Sequence, residues 1–377
     1  MRQKRAVSLL LVISMICGVL FLFAGCSGDS DVAEIRDSAL RNKLTELLGK
    51  DAGEDILISE LNDFNGYIDL SDTNVKNLAG IEHANSTAIN LSNTRVTDLT
   101  PLAGMQRLRT LTMTDMEDEI DVSPLAECSN LAYLDLSRSQ VSNLSALSGT
   151  RLTELTLKDC EINSLSELAE LPAIETLDLS GNQISDISIL SGFTTLKHLN
   201  LSGNPLSSAE AVSALTSLQS LDLSATNIQD LTPLQGLTSL NSLSLAHNGL
   251  TDISAISELT AVTNLDISHN QISDISPVEK MSEMSTFIAN DNQISDVQPM
   301  HDFGSAYVMN LANNNITDPY ILQSTFRIVT SSLFMDLRGN PLNLDDSRNV
   351  SFIQTMSKVK RTIAFDNSEE FFENNPL

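Results

Sequence analysis

Two histidines of this 377-residue chain lie 22 residues apart. Among the residues that could do chemistry, these two come closest to the pattern of a metal site. His247 and His269 are followed, after another 22 residues, by Asp291. In a chain that coils with this period, two imidazoles and a carboxylate would stack along one edge, where a divalent metal ion could bridge them. Repetition of a histidine-asparagine phrase at an exposed bend explains the same residues without any ion. We therefore predict no metal site and no cofactor.

Catalytic chemistry has no recognisable motif in this sequence. The chain contains no G-x-S-x-G, H-E-x-x-H, Walker loop or C-x-x-C, and its five histidines are mostly scattered. The acidic run at 115–121 lacks the glycine and the ligand spacing of a calcium loop, so we interpret it as a solvated acidic bulge. The sequence predicts no catalytic residues and a protein that is not an enzyme.

Charge narrows the choice of partner. The chain has 22 Lys and Arg against 49 Asp and Glu, which gives a net charge of −27. This charge repels phosphate backbones and anionic lipid head groups, so nucleic acid is excluded as a partner and the folded body should stay clear of a membrane surface. Aromatic residues make up 4% of the chain and Trp is absent, whereas 41% of the residues are hydrophobic, so the core must be mainly aliphatic.

The first 25 residues have the pattern of a targeting segment. Three cations, Arg2, Lys4 and Arg5, precede an apolar run at 6–24. Because this run is longer than the roughly 7 to 15 residues of a usual secretory core, an uncleaved membrane-spanning anchor is the alternative. The run ends in Phe-Ala-Gly-Cys, which resembles the lipobox of bacterial lipoproteins, although Phe23 stands where that pattern prefers Leu.

The lipobox resemblance implies that residues 1–25 are a lipoprotein signal peptide and that Cys26 is lipidated. Residues 26–31 would form a polar tether, and the protein would lie outside the cytoplasmic membrane of a bacterium, in contact with that membrane only through its lipid anchor. With Cys17 removed and Cys26 modified, Cys128 and Cys160 remain as candidates for a disulfide.

Most of the chain is an internal repeat. Successive unit starts at intervals of 22 residues are Leu152, Ile174, Leu196, Leu218, Leu240, Val262, Met284 and Ala306. Apolar residues recur at the first, fourth, sixth and eleventh places of each unit, and the alternation at places four and six predicts a short strand. Earlier units keep the pattern with spacings of 21 to 23 residues. One strand copied at a nearly fixed interval predicts units that stack on each other.

A polar residue occupies the ninth place of most units. It is Asn182, Asn204, Asn248, Asn270, Asn292, Asn314 and Asn340, with Thr73, Thr94, Ser139, Cys160 and Thr226 in other units. When coils stack, the bend after each strand buries backbone groups that cannot reach water, and an Asn amide can both donate and accept hydrogen bonds there. We predict a buried asparagine ladder, with Cys160 as one of its rungs and not as half of a disulfide.

The thirteenth place is repeatedly Asp. The residues are Asp98, Asp186, Asp230, Asp252, Asp274, Asp296 and Asp318. An Asp just before a tight helical turn can accept hydrogen bonds from the free N–H groups of that turn, and the prolines that follow in several units suit its first residues. We predict that these aspartates are structural and are not ligands.

Units such as LDLSGNQISDISILSGFTTL resemble the 22-residue leucine-rich repeats of internalin-like bacterial surface proteins. The resemblance implies an α/β solenoid, a right-handed coil with a parallel concave sheet, a helical N-terminal cap and a C-terminal cap. The caps fall at 32–64 and 344–377, on either side of repeats at 65–343. Leu40, Leu44, Leu47 and Leu48 form one helical stripe between residues 37 and 61, and a helix at 345–359 followed by a strand at 362–366 is expected in the C-terminal cap.

The third, fifth and seventh residues of each unit should point out of the concave sheet. From Asp135 to Asp266, the fifth place alternates between a carboxylate and a neutral polar residue. Because neighbouring strands lie about 4.8 Å apart, successive aspartates should be roughly 10 Å apart, which relieves repulsion and is too wide for chelation of one calcium ion. Two interpretations stay open, a solvated acidic face and a docking surface for a cationic partner.

The candidate ligand-binding residues on this face are Tyr133, Asp135, Asp178, His198, Asp222, Asp266 and Ile288. Near the C-terminal end, Ile288, Tyr307, Val308 and Phe334 form an apolar group. This group is either a binding hot spot or, as the favoured interpretation, buried beneath the C-terminal cap.

The resulting hypothesis is a monomeric, lipid-anchored, cell-surface protein that recognises a protein or cell-envelope ligand through its concave face. The alternative is a passive acidic component of the cell envelope.

Overall fold

The computed structural model describes residues 31–171, 174–303, 306–323, 333–358, 362–366, 368 and 371. The predicted signal peptide and Cys26 lie outside the described residues.

Short strands dominate the regular structure of the described residues. The strands are β1 Tyr67–Asp69, β2 Ala88–Asn90, β3 Thr110–Thr112, β4 Ile120–Asp121, β5 Tyr133–Asp135, β6 Val141–Ser142, β7 Glu154–Thr156, β8 Thr176–Asp178, β9 His198–Asn200, β10 Ser220–Asp222, β11 Ser242–Ser244, β12 Asn264–Asp266, β13 Thr286–Ile288, β14 Val308–Asn310, β15 Phe334–Asp336 and β16 Thr362–Ala364. The α-helices are α1 Ser38–Leu47, α2 Ile58–Asp63 and α3 Ser347–Lys358.

Fourteen of these strands form one parallel sheet whose strand order follows the chain, and β4 and β6 pair separately. Neighbouring strands pair without any shift in register, so each place of the repeat forms a straight row across the sheet. In the fifth-place row, for example, Asp178 pairs with Asn200, which in turn pairs with Asp222. The predicted stack of repeats around a long parallel sheet is therefore confirmed.

The return path of each coil is a short 3-10 helix. These helices span Ile81–His83, Thr100–Leu102, Ser123–Glu127, Leu144–Gly149, Ser166–Leu168, Ser188–Gly192, Glu210–Ala214, Thr232–Leu234, Ser254–Ile256, Ser276–Val278, Gln298–Met300 and Pro319–Gln323. The thirteenth-place aspartates accept hydrogen bonds from the backbone N–H two residues later, for example Asp252 from Ser254 at 2.7 Å and Asp186 from Ser188 at 2.8 Å. The predicted structural role of these aspartates is confirmed.

The core lies between the sheet and the return path, and it is aliphatic as expected. Leu177 and Leu179, at the fourth and sixth places of one unit, are fully or almost fully buried, and the equivalent residues repeat this in the next coils. Phe287 and Phe303 replace leucines near the C-terminal end, where their rings meet edge to face with centroids 5.6 Å apart. Each coil thus buries its apolar face against its neighbours, which is why the units must stack.

The asparagine ladder also forms as predicted. The Asn248 side-chain amide donates to the carbonyl oxygens of Leu223 at 2.8 Å and Leu245 at 3.1 Å, and its oxygen accepts from the Thr226 N–H at 3.0 Å. Cys160 fills the same slot, with its N–H donating to the Asn182 side chain at 3.0 Å. Cys160 and Cys128 are both buried and free, so the interpretation against a disulfide is confirmed.

The N-terminal cap is helical, but it contains two helices and not one stripe. Helices α1 and α2 are separated by a turn with Gly49 and Gly53 in the left-handed region, where glycine is favoured. Leu40 and Leu44 are fully buried, whereas Leu47 and Leu48 are only partly buried. The stripe breaks because the chain must turn back so that α2 can cover the first coil.

Asp37 joins the N-terminal cap to the repeats. One carboxylate oxygen caps α1 by accepting from the N–H groups of Ala39 and Leu40 at 2.9 and 3.1 Å. The other oxygen accepts from the N–H groups of Lys76 and Asn77 at 2.9 and 3.2 Å. Burial opposes the ionisation of Asp37, but these four donors together lower its pKa.

At the C-terminal end, α3 and β16 form the predicted cap. Phe352, Ile353 and Met356 of α3 are buried, and β16 pairs with β15 as the last strand of the sheet. The helix and the strand thus cover the apolar layer that the last coil would otherwise expose.

Candidate binding surface

The concave face is defined here as the outer face of the fourteen-stranded sheet, which carries the third and fifth places of each unit. Side chains at these places are partly or fully exposed in the central coils, between buried residues at the fourth place. Tyr133, Asp135, Asp178, Asp222 and Asp266 are half-buried on this face. His198 is exposed and Ile288 is half-buried, so every candidate residue reaches the surface of the sheet.

The side chain at the seventh place, which was also predicted to point outward, does not reach solvent in several units. Ser137, Ser180, Ala246 and Ser268 are buried at this place. The next residue takes a left-handed conformation in nearly every coil, as at Arg138, His247 and His269. The chain therefore turns away from the sheet directly after the seventh residue, whose hydroxyl in Ser137 and Ser268 donates to the fifth-place carboxylate at 2.5 and 2.6 Å.

The fifth-place aspartates have a local structural task that the sequence reasoning missed. Asp222 accepts from both the N–H and the hydroxyl of Ser224, at 2.8 and 2.6 Å. Asp266 accepts in the same way from Ser268, at 2.9 and 2.6 Å. The recurrent Asp-x-Ser spacing was the signal for this turn, because an Asp side chain readily bonds the backbone two residues later. One oxygen of each carboxylate is held by the turn, and the second oxygen of Asp178 accepts from the Asn200 amide at 3.5 Å.

The carboxylates of the concave face carry uncompensated charge. Asp178, Asp222 and Asp266 lie on β8, β10 and β12, and the intervening strands place Asn200 and Ser244 between them. In the part of the chain that the structure describes, none of these three carboxylates forms an ion pair with Lys, Arg or His. The row is therefore a series of separated negative charges with neutral polar residues between them.

Tyr133 lies at the N-terminal end of this series. It occupies the third place of β5, in register with Glu154 on β7. Burial, together with the charges of Asp135 and Glu154, raises the pKa of the Tyr133 hydroxyl, which therefore stays protonated and able to donate a hydrogen bond at neutral pH.

The apolar group near the C-terminal end is open to solvent, so the favoured interpretation of burial beneath the cap is wrong. Tyr307 is 47% exposed and Phe334 is 41% exposed. Val308 pairs in register with Phe334, and Ile288 follows Asp266 in the fifth-place row. The C-terminal cap extends the sheet beyond β15 and packs beneath it, so it leaves Ile288, Val308 and Phe334 on the concave face, with Tyr307 exposed directly before β14.

The next acidic residue beyond this group is neutralised within the chain. Asp336, at the fifth place of β15, is buried and accepts from the Arg338 guanidinium at 2.9 Å. Burial opposes the ionisation of Asp336, but the hydrogen bonds and charge of Arg338 lower its pKa. The uncompensated row thus ends at Asp266, where the apolar group begins.

The two equally spaced histidines stack as expected. The rings of His247 and His269 are 4.1 Å apart between centroids and inclined by 10°. His269 Nδ1 lies 3.4 Å from an oxygen of Asp291, whose carboxylate also accepts from Asn290 and Asn313. These hydrogen bonds, first of all that from Asn290, lower the pKa of Asp291. Nearly parallel rings direct their nitrogens side by side, and the described residues include no group of three His, Cys, Asp or Glu arranged to hold a metal ion.

Similarity to known proteins agrees with this geometry. Residues 150–192, 194–236 and 238–280 match the family model described as leucine-rich repeats, and residues 35–156 match the model described as the leucine-rich repeat domain of endo-beta-N-acetylglucosaminidase EndoS. No curated protein sequence matches the chain. Within the described residues, no helix has the length and apolar character needed to span a membrane.

Three solved structures illustrate the similarity in fold. An internalin from Listeria monocytogenes has a TM-score of 0.63 at 24% identity, over 88% of this chain and 91% of that one. The Toll–Spatzle complex of Drosophila has a TM-score of 0.57 at 18% identity, over 83% of this chain and 54% of the other. A leucine-rich repeat protein of Leptospira interrogans has a TM-score of 0.51 at 16% identity, over 82% of this chain and 97% of that one. The repeats, the long parallel sheet and these similarities together show that this chain is a leucine-rich repeat solenoid.

Proposed function

We propose that this chain binds a cationic protein or cell-envelope ligand through its concave face, while a lipid on Cys26 holds it at the surface of a bacterial cell. The observation that carries the proposal is the row of uncompensated carboxylates, Asp178, Asp222 and Asp266, on an open sheet. Solenoids of this class typically bind proteins on such extended concave surfaces.

Electrostatics favours a partner that brings positive charge. Exposed charges about 10 Å apart repel each other weakly at physiological salt, since the screening length is about 8 Å. A partner that places a cation at each carboxylate would remove this repulsion and would be attracted to the molecule by its net charge of −27. Tyr133 would add a hydrogen-bond donor at one end of the row, and His198 on β9 would add an exposed ring between Asp178 and Asp222.

Three charges of this row can be removed without disturbing the fold. Asn occurs naturally at the same place in β9, where the Asn200 side-chain oxygen accepts from the N–H and hydroxyl of Ser202 at 3.0 and 2.8 Å. The triple variant Asp178→Asn, Asp222→Asn, Asp266→Asn therefore keeps the turns and removes three charges. A matched control, Asp230→Asn, Asp252→Asn, Asp274→Asn, removes the same charge from the caps of the 3-10 helices.

The test is selection of a random twelve-residue peptide library on the immobilised full chain. We expect the selected peptides to be basic and to bind the concave triple variant about tenfold more weakly, with little change for the control triple variant. Peptides that bind both variants equally, or a library that yields no saturable binder, would contradict the proposal. That result would favour the alternative of a passive acidic coat.

The lipid anchor is tested separately in bacterial cells that express the full chain. Cys26→Ala should abolish incorporation of a labelled fatty acid, because the acyl chains require this thiol. Cys17→Ala is the control, since it lies inside the apolar run and should leave labelling intact. Labelling of the Cys26→Ala variant at the level of the unmodified protein would contradict the lipoprotein assignment.

A further inference from the structure

We propose that the concave face is built for an extended polyproline II segment that carries a basic side chain at every third residue and an apolar side chain at the end nearest the C-terminal cap. This inference rests on the proposed function. It adds the conformation, the sequence period and the direction of the segment that the face receives.

The period follows from the register of the sheet. Asp178, Asp222 and Asp266 lie on every second strand of one straight row. Strands about 4.8 Å apart place these carboxylates at intervals of about 9.6 Å. A polyproline II helix has three residues per turn and rises about 3.1 Å per residue, so its side chains recur on one side every 9.3 Å or so. A fully extended strand repeats on one side at about 6.8 Å and would miss the second carboxylate.

The residues between the carboxylates suit the backbone of such a segment. Polyproline II has no internal hydrogen bonds, so its carbonyl oxygens need donors from outside. Asn200 and Ser244 lie between the aspartates and are half-buried at the surface of the sheet. The Asn200 amide has two N–H groups and uses one for Asp178 at 3.5 Å, so it can donate to the segment. The Ser244 hydroxyl lies 2.6 Å from that of Ser224, whose own proton goes to Asp222, so Ser244 donates within the chain. The third-place row beside them is polar and uncharged from Ser220 to Thr286. No Lys or Arg occupies the third or fifth place of β8 to β12, and the ring of His198 is exposed at the third place of β9, beside Asn200.

The direction follows from the apolar group. One further step of two strands beyond Asp266 on β12 passes Ile288 on β13 and reaches Asn310 on β14 in the same row. The third-place row beside Asn310 holds Val308, which pairs with Phe334. Tyr307 and Phe334 are the exposed large side chains of this region, at 47% and 41%. Beyond them Asp336 is neutralised by Arg338, so a fourth basic residue would find no free carboxylate. An apolar side chain in that position buries aromatic surface that is otherwise in water.

The probe is a synthetic peptide, Lys-Pro-Ser-Lys-Pro-Ser-Lys-Pro-Ser-Phe, together with its reversed sequence, because either chain direction fits the row. The composition control is Lys-Lys-Lys-Pro-Ser-Pro-Ser-Pro-Ser-Phe, and a third peptide replaces the Phe with Ser. Binding to the full chain is followed by fluorescence anisotropy at low salt. We expect the better of the two periodic peptides to bind at least about fivefold more tightly than the clustered control.

Two pairs of variants locate the peptide. Asp222→Asn should weaken the periodic peptide about two- to fivefold, whereas Asp252→Asn, which removes a charge from a helix cap, should not. Phe334→Ser should weaken the Phe-terminated peptide about tenfold and leave the Ser-terminated peptide unchanged. Tyr67→Ser is the control for loss of an exposed aromatic, because Tyr67 is 52% exposed at the opposite end of the sheet.

Each result supports or overturns a distinct statement. Equal binding of the periodic and clustered peptides, or no binding of either, overturns the inference and leaves the proposed function to the library selection. Equal effects of Asp222→Asn and Asp252→Asn would place the peptide away from the concave face. This result would contradict both the inference and the proposed function. A Phe334→Ser effect that persists with the Ser-terminated peptide overturns the assigned direction.

Discussion

Single polar residues hold the bends of this solenoid together. Each ladder asparagine satisfies carbonyl oxygens in its own coil and in the preceding coil, and each fifth-place Asp or Asn accepts from the turn that follows. Ser180 shows the limit of this pattern, because its hydroxyl is buried and makes no hydrogen bond within the described residues. Residues of one type at the same place of the repeat therefore do not stabilise the fold equally, because each makes different hydrogen bonds.

The ladder leads to a prediction at this scale. Asn248→Ala should lower the free energy of unfolding by about 1–3 kcal/mol, because the carbonyl oxygens of Leu223 and Leu245 would lose their buried donor. Chemical denaturation of the full chain measures the change. Asn241→Ala is the matched control, since Asn241 is exposed and should change stability by less than about 0.5 kcal/mol. Equal effects of the two substitutions would contradict a special role for the ladder.

The single coil is the element from which the rest follows. Its strand has only three residues, its bend has one residue in the left-handed region, and its return is one turn of 3-10 helix. None of these pieces is stable alone, because a short helix or strand makes too few hydrogen bonds to offset the loss of chain entropy. The aspartate at the start of the 3-10 helix compensates in part by satisfying an N–H group that the helix leaves free.

The aspartates that cap the 3-10 helices predict how the stability of the fold depends on pH. Hydrogen bonds from the residue two places on lower the pKa of Asp98, Asp186, Asp230 and Asp252 in the folded chain. A lowered folded-state pKa means that the stabilisation is present above the unfolded pKa, about 3.9, and is lost as pH falls through the folded pKa. We therefore expect the thermal unfolding midpoint to fall as the pH drops below about 4.

Replacement of these four aspartates by Asn should make the acid decline shallower, because Asn caps a helix without titrating. Thermal unfolding followed by circular dichroism between about pH 3 and pH 7 measures the slope. Asp118→Asn is a control in the solvated acidic bulge, where the carboxylate is exposed and caps no helix. An unchanged slope in the four-site variant would show that the caps do not couple stability to pH.

The whole molecule is a one-dimensional stack with two different ends. Asp37 fastens the helical cap to the first coil at one end, and α3 with β16 closes the other. Each coil contacts only its neighbours, so stability should be a sum of coil and interface contributions and not one global property. The negative charge is spread along the full length, but the concave face changes from acidic to apolar toward the C-terminal end.

This architecture predicts a local response to damage at one end. Phe352→Asp should destabilise α3 by about 3–5 kcal/mol or more, because Phe352 is fully buried. Hydrogen exchange of the full chain should then show lost protection in β14 to β16 and retained protection in β1 to β10. Ser351→Asp is the matched control on the exposed side of the same helix. Equal loss of protection along the sheet would contradict nearest-neighbour stability.

The sequence by itself determined the solenoid, the ladder, the helix caps and the rows of the concave face. These features depend on a period of 22 residues, and a repeated pattern of apolar and polar residues specifies both the fold of one coil and its contacts with the next. Tertiary structure decided which of the outward residues reach solvent. Ser268 is buried at the start of the bend that follows β12, and Phe334 is exposed because the C-terminal cap continues the sheet without crossing its face. Both outcomes depend on where neighbouring backbone lies, which the type of a residue and its place in a repeat do not specify.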